Sequence, residues 1–178
     1  MSSARVGVPS HTFATTGSPV STIHDEVDIA ATPEQVWAVL ADVSLLPQLS
    51  SSTTEVRVDG LLDRVGQTFD QTVQLAGRRS SSCWRVEEIE PGRLLRISGS
   101  LPGGTPYRMV ETIDPLADGA RLAIEAEYQL PMGALGRLAG RLGVERRARR
   151  ELREVLEGVA RLAEDGAGHQ VPETGSGS

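Results

Sequence analysis

Glu111 is the residue least suited to its neighbours in this chain. In Tyr107-Arg108-Met109-Val110-Glu111-Thr112-Ile113, alternation puts Tyr107, Met109, Glu111 and Ile113 on one face of a strand. If that face points inward, a carboxyl stands among apolar side chains. Desolvation then favours its neutral form and suits it to general acid or base work. The other reading is a carboxylate at the sheet rim, or one tied to an arginine such as Arg96. Tyr107 and Tyr128 combine a ring with a hydroxyl that can relay a proton or hold an oxygenated ligand. Each could instead fill the core with its hydroxyl bonded to backbone. Glu111, Tyr107 and Tyr128 are the candidate catalytic residues.

The candidate ligand contacts surround them. Phe69, Gln71 and Val73 share a face, and Gln71 could orient a ligand carbonyl or stand solvated on an open strand. Trp84 shares a face with Ser82 and Val86, and could stack on a flat ligand or pack in the core. Met109 lies beside Glu111, and Ile124 shares the inward face of the next strand with Leu122, Ala126 and Tyr128. Glu145 and Arg149 fall on the apolar stripe of a C-terminal helix. There they would line the pocket or its mouth, or face solvent if the helix begins later. His24 could act as a base near pH 7 or be a surface residue. Cys83 has the outward parity to Trp84, so it is no nucleophile, and Trp37 belongs to the core.

Those residues need elements to position them. Ser21–Ala30 reads as a first strand. Thr32 can cap a short helix with Pro33 at its first position, and Val36, Trp37, Val39 and Leu40 form its apolar face. A second short helix starts at Asp42 and is interrupted at Pro47. The period then changes to two. Strands are expected at Glu55–Val58, Phe69–Leu75, Ser82–Ile89, Leu94–Ser100, Tyr107–Asp114 and Arg121–Leu130, with turns at Gly77-Arg78, Pro91-Gly92 and Ala117–Gly119 and a loop at Pro102–Gly104. The short connections make an antiparallel meander.

From Met132 the period is helical again. Leu135, Leu138 and Leu142 form one stripe, and Leu152, Val155, Leu156, Val159 and Leu162 form a longer one. A helix over Arg141–Ala163 would span about 34 Å at 1.5 Å per residue, enough to cross the sheet. The expected fold is α+β: a curved sheet of about six or seven antiparallel strands around a long C-terminal helix, with an apolar pocket between them.

Composition narrows the classes. The chain has 178 residues, 39% hydrophobic and 24% charged, which fits one globular domain. The expected division is a disordered arm over 1–20, one domain over 21–163 and a flexible tail over 164–178. No apolar run is long enough for a membrane span, and the first residues lack the pattern of a secretion signal, so a cytoplasmic protein is expected. The net charge of −6 argues against nucleic acid. With one cysteine and three histidines, of which His11 and His169 lie in the tails, a metal site or a Ser–His–Asp triad is hard to assemble. No metal and no cofactor are expected. All 18 basic residues are arginine, and seven crowd into Arg137, Arg141, Arg146, Arg147, Arg149, Arg150 and Arg153. That surface could meet an acidic acyl-carrier protein. Alternatively, Arg147–Glu151, Arg150–Glu154 and Arg153–Glu157 pair at i, i+4 along a solvated face.

Several segments carry a family likeness: the opening Val27-Asp28-Ile29-Ala30-Ala31-Thr32-Pro33-Glu34-Gln35-Val36-Trp37, then Val65-Gly66-Gln67-Thr68-Phe69, Val86–Leu94 and Leu130–Leu138. Together, over about residues 22–163, the chain resembles the START-like superfamily, in its polyketide cyclase/dehydratase and lipid-transport group. The resemblance implies the helix-grip fold and a pocket for a hydrophobic small molecule. It also implies either cofactor-independent cyclase or dehydratase chemistry, or non-catalytic carriage of a lipid or metabolite. Two departures stand out. Leu45-Leu46-Pro47-Gln48-Leu49 replaces a segment that usually carries tryptophan, and Glu111 stands where the sixth strand usually has Trp. The pocket should then be poorer in aromatic rings, with Phe69, Trp84, Tyr107 and Tyr128 its main ones.

Overall fold

The computed structural model describes residues 20–75, 77–101, 104–129 and 139–168. The first strand, β1 (Val20–Ile29), leads into α1 (Pro33–Leu40). Thr32 and Gln35 close a reciprocal capping box at the start of α1: Thr32 Oγ1 accepts from Gln35 N, and Gln35 Oε1 accepts from Thr32 N at 2.9 Å. A 3-10 turn, Val43–Leu45, then runs into α2 (Leu46–Leu49). Pro47 does not interrupt a helix. It lies in the first turn of α2, where its missing N–H would have had no partner.

Six further strands follow: β2 (Thr53–Arg57), β3 (Thr68–Leu75), β4 (Arg78–Glu90), β5 (Leu94–Leu101), β6 (Thr105–Leu116) and β7 (Gly119–Gln129). All seven form one antiparallel sheet in the order β1-β7-β6-β5-β4-β3-β2. The expected α+β helix-grip architecture is therefore the observed one. The meander runs from β2 to β7, and β1 joins its far edge. The strands are longer than their alternation alone suggested, because ladder pairing continues into the polar hairpin ends, as from Arg78 to Ser81.

The last helix, α3 (Ala139–Gly168), begins before Arg141 and runs past Ala163. Leu152, Leu156, Val159 and Ala163 bury its inner stripe against β1, α1 and α2. Past the expected end, Glu164 is still fastened, its Oε1 accepting from Ala30 N at 3.0 Å. The start of the expected tail is therefore helix, and Val20, the end of the expected arm, is strand. The rest of the arm and tail, Pro102-Gly103 and the Leu130–Leu138 passage lie outside the described residues.

The sheet's inner face is apolar, with Ile23, Ile29, Phe69, Trp84, Val86, Leu95, Ile97, Ile113, Leu122, Ile124 and Ala126 all buried. One glycine decides how that face packs. Gly99 on β5 pairs with Trp84 on one side and Tyr107 on the other. A Cβ there would lie 2.8 Å from both the Cys83 carbonyl oxygen and Trp84 Cε3. The bare backbone leaves room for the indole to reach across β5 and touch Tyr107. Gly99→Ala should cost about 1–3 kcal/mol by overpacking. Denaturant unfolding checks the loss, and a shift in tryptophan emission checks that the indole has moved.

Candidate functional site

The register places four rings in one line. Phe69 pairs with Trp84, Trp84 with Gly99, Gly99 with Tyr107, and Tyr107 with Tyr128, across β3 to β7. Phe69 and Trp84 stack at 6.2 Å, Trp84 meets Tyr107 edge-on at 5.4 Å, and the two tyrosines stack at 6.3 Å. Trp84 and Tyr128 are buried, and Tyr107 is partly so.

Glu111 lies further along the same face of β6. It is 7% exposed, and its cross-strand neighbours are Leu95 and Ile124, both buried. It is not a rim carboxylate, and Arg96 does not hold it, since Arg96 pairs outward with Glu88 at 2.5 Å. Among the described residues Glu111 has no hydrogen-bond or ion-pair partner. Burial without compensation pushes its carboxyl up to about 8, so the neutral acid dominates near pH 7. Burial also drives the Tyr107 hydroxyl above its ordinary value, helped by Glu151, Tyr128 and Glu111. Tyr107 therefore stays a phenol, able to donate.

Gln71 is half-buried, and both ends of its amide are engaged within the sheet. Trp84 Nε1 donates to Gln71 Oε1 at 2.8 Å, and Gln71 Nε2 donates to Thr53 Oγ1 at 2.7 Å. An indole N–H can only donate, which settles which end of the amide faces it. Gln71 thus anchors the edge of Trp84 to β2. Val73 and Met109 are half-buried, and Ile124 is fully buried.

Glu145 and Arg149 are on helix, so a late helix start does not explain their exposure. They bond to each other at 3.0 Å, with side chains 37% and 53% exposed. The structure does not bring them to the rings. His24 faces outward on edge strand β1, 3.6 Å from Glu26, and Cys83 is exposed.

The sequence reading missed a polar cluster under α3. Ser50 donates to Glu151 Oε1 at 2.9 Å, Ser52 donates to the same oxygen, and Ser51 donates to Glu154 Oε2 through its hydroxyl at 2.7 Å. Ser50, Ser52 and Thr53 are buried. The available signal was the serine run after α2, set against two acids at i, i+3 beside the apolar stripe. This cluster also replaces the expected pairs along the helix. Glu151 and Glu154 turn to the serines, and Arg153 turns to Asp25 and the Glu26 carbonyl. Arg146, Arg147 and Arg150 are left exposed and outside the ion pairs of the described residues.

Among the described residues no three His, Cys, Asp or Glu side chains converge as metal ligands would, and no helix is long and apolar enough to cross a membrane. Two surface cavities of about 410 and 470 Å³ lie elsewhere. One is lined by Asp59, Arg64 and Gln67, the other by Glu55, Asp70 and Arg79 on the sheet's outer face. Neither includes a residue expected in the site.

Residues 21–164 match the family described as polyketide cyclase/dehydrase and lipid transport. The chain belongs to that family. This agrees with the START-like resemblance of its motifs. An uncharacterized Mycobacterium tuberculosis protein, Rv1546, is 27% identical over 127 residues, covering 68% of this chain and 87% of its own. The fold is similar to the Zhui aromatase/cyclase of Streptomyces sp. R1128, with a TM-score of 0.68 and 21% identity over 84% of this chain and 96% of that one. It is also similar to StfQ, a di-domain aromatase/cyclase of the steffimycin biosynthetic pathway, with a TM-score of 0.72 and 17% identity over 84% of this chain. This chain spans about half of StfQ, covering 52% of it. Family scaffolds of this kind serve different activities, so the chemistry rests on the residues inside.

Glu111 carries a stability consequence. Its carboxyl is raised from 4.5 to about 8, so the folded state holds the proton more tightly than the unfolded chain. The benefit is complete below about 4.5 and is lost as pH rises through about 8. Each pH unit inside that window costs the fold about 1.4 kcal/mol. Glu111→Gln should therefore gain in Tm over the parent as pH rises from 5 to 8 and hold a constant gain above that. Melting curves across this range measure it.

Proposed function

We propose that this chain is a cofactor-independent cyclase or dehydratase acting on an oxygenated, hydrophobic, polyketide-like molecule held between the sheet and α3. The observation that carries this is Glu111, a buried carboxyl with no partner among the described residues, on the face that holds Tyr107 and Tyr128. In its neutral form it can protonate a departing hydroxyl as the C–O bond breaks, and the carboxylate this leaves can take up the α-proton as the C=C bond forms, which restores the acid and releases water. Tyr107 and Tyr128 donate to ligand oxygens, and Phe69, Trp84, Val73, Met109 and Ile124 supply apolar surface. Holding a flexible polycarbonyl chain in a reactive fold supplies much of the acceleration.

Incubation with a β-hydroxy polyketone, followed by native mass spectrometry, tests this. Loss of one water from the bound mass supports dehydration. An unchanged bound mass supports the alternative, a carrier, which the lipid-transport part of the family description favours. Glu111→Gln should lower turnover by about 10²-fold or more, the usual scale of general acid catalysis. Parent turnover should fall as pH rises through about 8. An unaltered rate in a folded Glu111→Gln variant removes Glu111 from the mechanism.

The substrate is proposed to arrive on an acidic acyl-carrier protein docked at Arg146, Arg147 and Arg150. These cations are exposed on an otherwise acidic protein of net charge −6. Arg146→Glu with Arg150→Glu should weaken carrier binding about tenfold or more at low salt, and the difference should shrink as salt is added. Calorimetric titration at two ionic strengths reads both effects. Binding that ignores both charge and salt excludes this face.

A further inference from the structure

Glu151 immediately precedes Leu152 of the buried α3 stripe and is itself half-buried. Its Oε1 is committed to two buried hydroxyls, those of Ser50 and Ser52. Its Oε2 makes no hydrogen bond among the described residues. Glu151 is also the foremost charge acting on the Tyr107 hydroxyl, ahead of Tyr128 and Glu111. The carboxylate, held by Ser50 and Ser52, is therefore within electrostatic reach of the Tyr107 hydroxyl.

The two serines choose this position for it. Arg147 lies one helical turn back, at i−4, and an i, i+4 pair would draw Glu151 toward solvent. Instead, Ser50 and Ser52 hold it in. The inner face then carries donors at Glu111, Tyr107 and Tyr128, and one carboxylate that accepts.

We propose that Glu151 is a ligand-contacting residue whose Oε2 accepts a hydroxyl of the bound molecule, so that the site selects hydroxyl-bearing aromatic ligands over unsubstituted ones. This rests on the reading that ligands bind between the sheet and α3. Ser50 and Ser52 are positioning residues that act through Glu151.

Two fluorescent probes, 1-naphthol and naphthalene, differ by the one group in question. The parent should bind 1-naphthol about tenfold or more tightly than naphthalene, the scale of one hydrogen bond to a charged group. Glu151→Gln should bring that ratio below about threefold while naphthalene affinity stays the same, because a neutral acceptor is the weaker partner. The Ser50→Ala, Ser52→Ala double variant should reduce the ratio in the same direction, and it carries the test if Glu151→Gln melts early. Equal affinity of the parent for both probes overturns the role of Glu151 and leaves the interior site standing. Failure of both probes to bind overturns both. A ratio that survives in both variants also overturns the proposal.

Discussion

An antiparallel sheet with one apolar face must have that face covered, and in this chain the helices share the covering: α3 meets β1 and β7, α1 meets β6 and β7, and α2 meets β2. Leu152, Leu156, Val159 and Ala163 supply the contact, and the short helices α1 and α2 pack beside them. The fit is close at Gly158, where a Cβ would lie 2.9 Å from Leu49 Cδ2. The same contact governs the chemistry. Glu111 is buried in the interior so enclosed, and Ser50 and Ser52 hold Glu151 of α3 within electrostatic reach of the Tyr107 hydroxyl. Hydrophobic burial and the electrostatics of the inner face thus arise from one packing event.

Within that cover, polar groups fall into two sets. Gln71, Trp84 and Thr53 satisfy one another in a chain from β4 through β3 to β2, so their hydrogen bonds stabilise and orient. Glu111 is satisfied by nothing among the described residues. A buried acid without a partner lowers stability at neutral and alkaline pH, and such a group is a common mark of function. The ring count is low, with two Phe, two Trp and two Tyr in the chain, yet four of the six stand in one row. What the interior lacks in number it recovers by register.

The basic half of α3 shows how one contact alters the meaning of a charge pattern. By spacing alone, its arginines and glutamates neutralise each other along the helix. Three serines after α2 draw Glu151 and Glu154 away, and Asp25 on β1 takes Arg153. Arg146, Arg147 and Arg150 are left exposed without a close ion pair among the described residues, although Glu154 still feels the charges of Arg147 and Arg150.

Much of the architecture was legible from sequence. Period-two runs located β3 to β7, period-3.6 runs located α1 and α3, and Thr32-Pro33 marked the first helix start, because these patterns follow from local backbone geometry. Alternation also assigned Glu111, Tyr107 and Tyr128 to the inner face. Other features depended on partners remote in sequence. Gly99 matters only because Trp84 and Tyr107 flank it across two strands. Gln71 is a bridge only because Thr53 and Trp84 lie on either side. Glu151 faces inward only because Ser50 and Ser52 reach it over about a hundred residues of chain. Local periodicity determines which face a side chain occupies. Only tertiary packing decides what it meets there, since that depends on strand register and on the seat of α3.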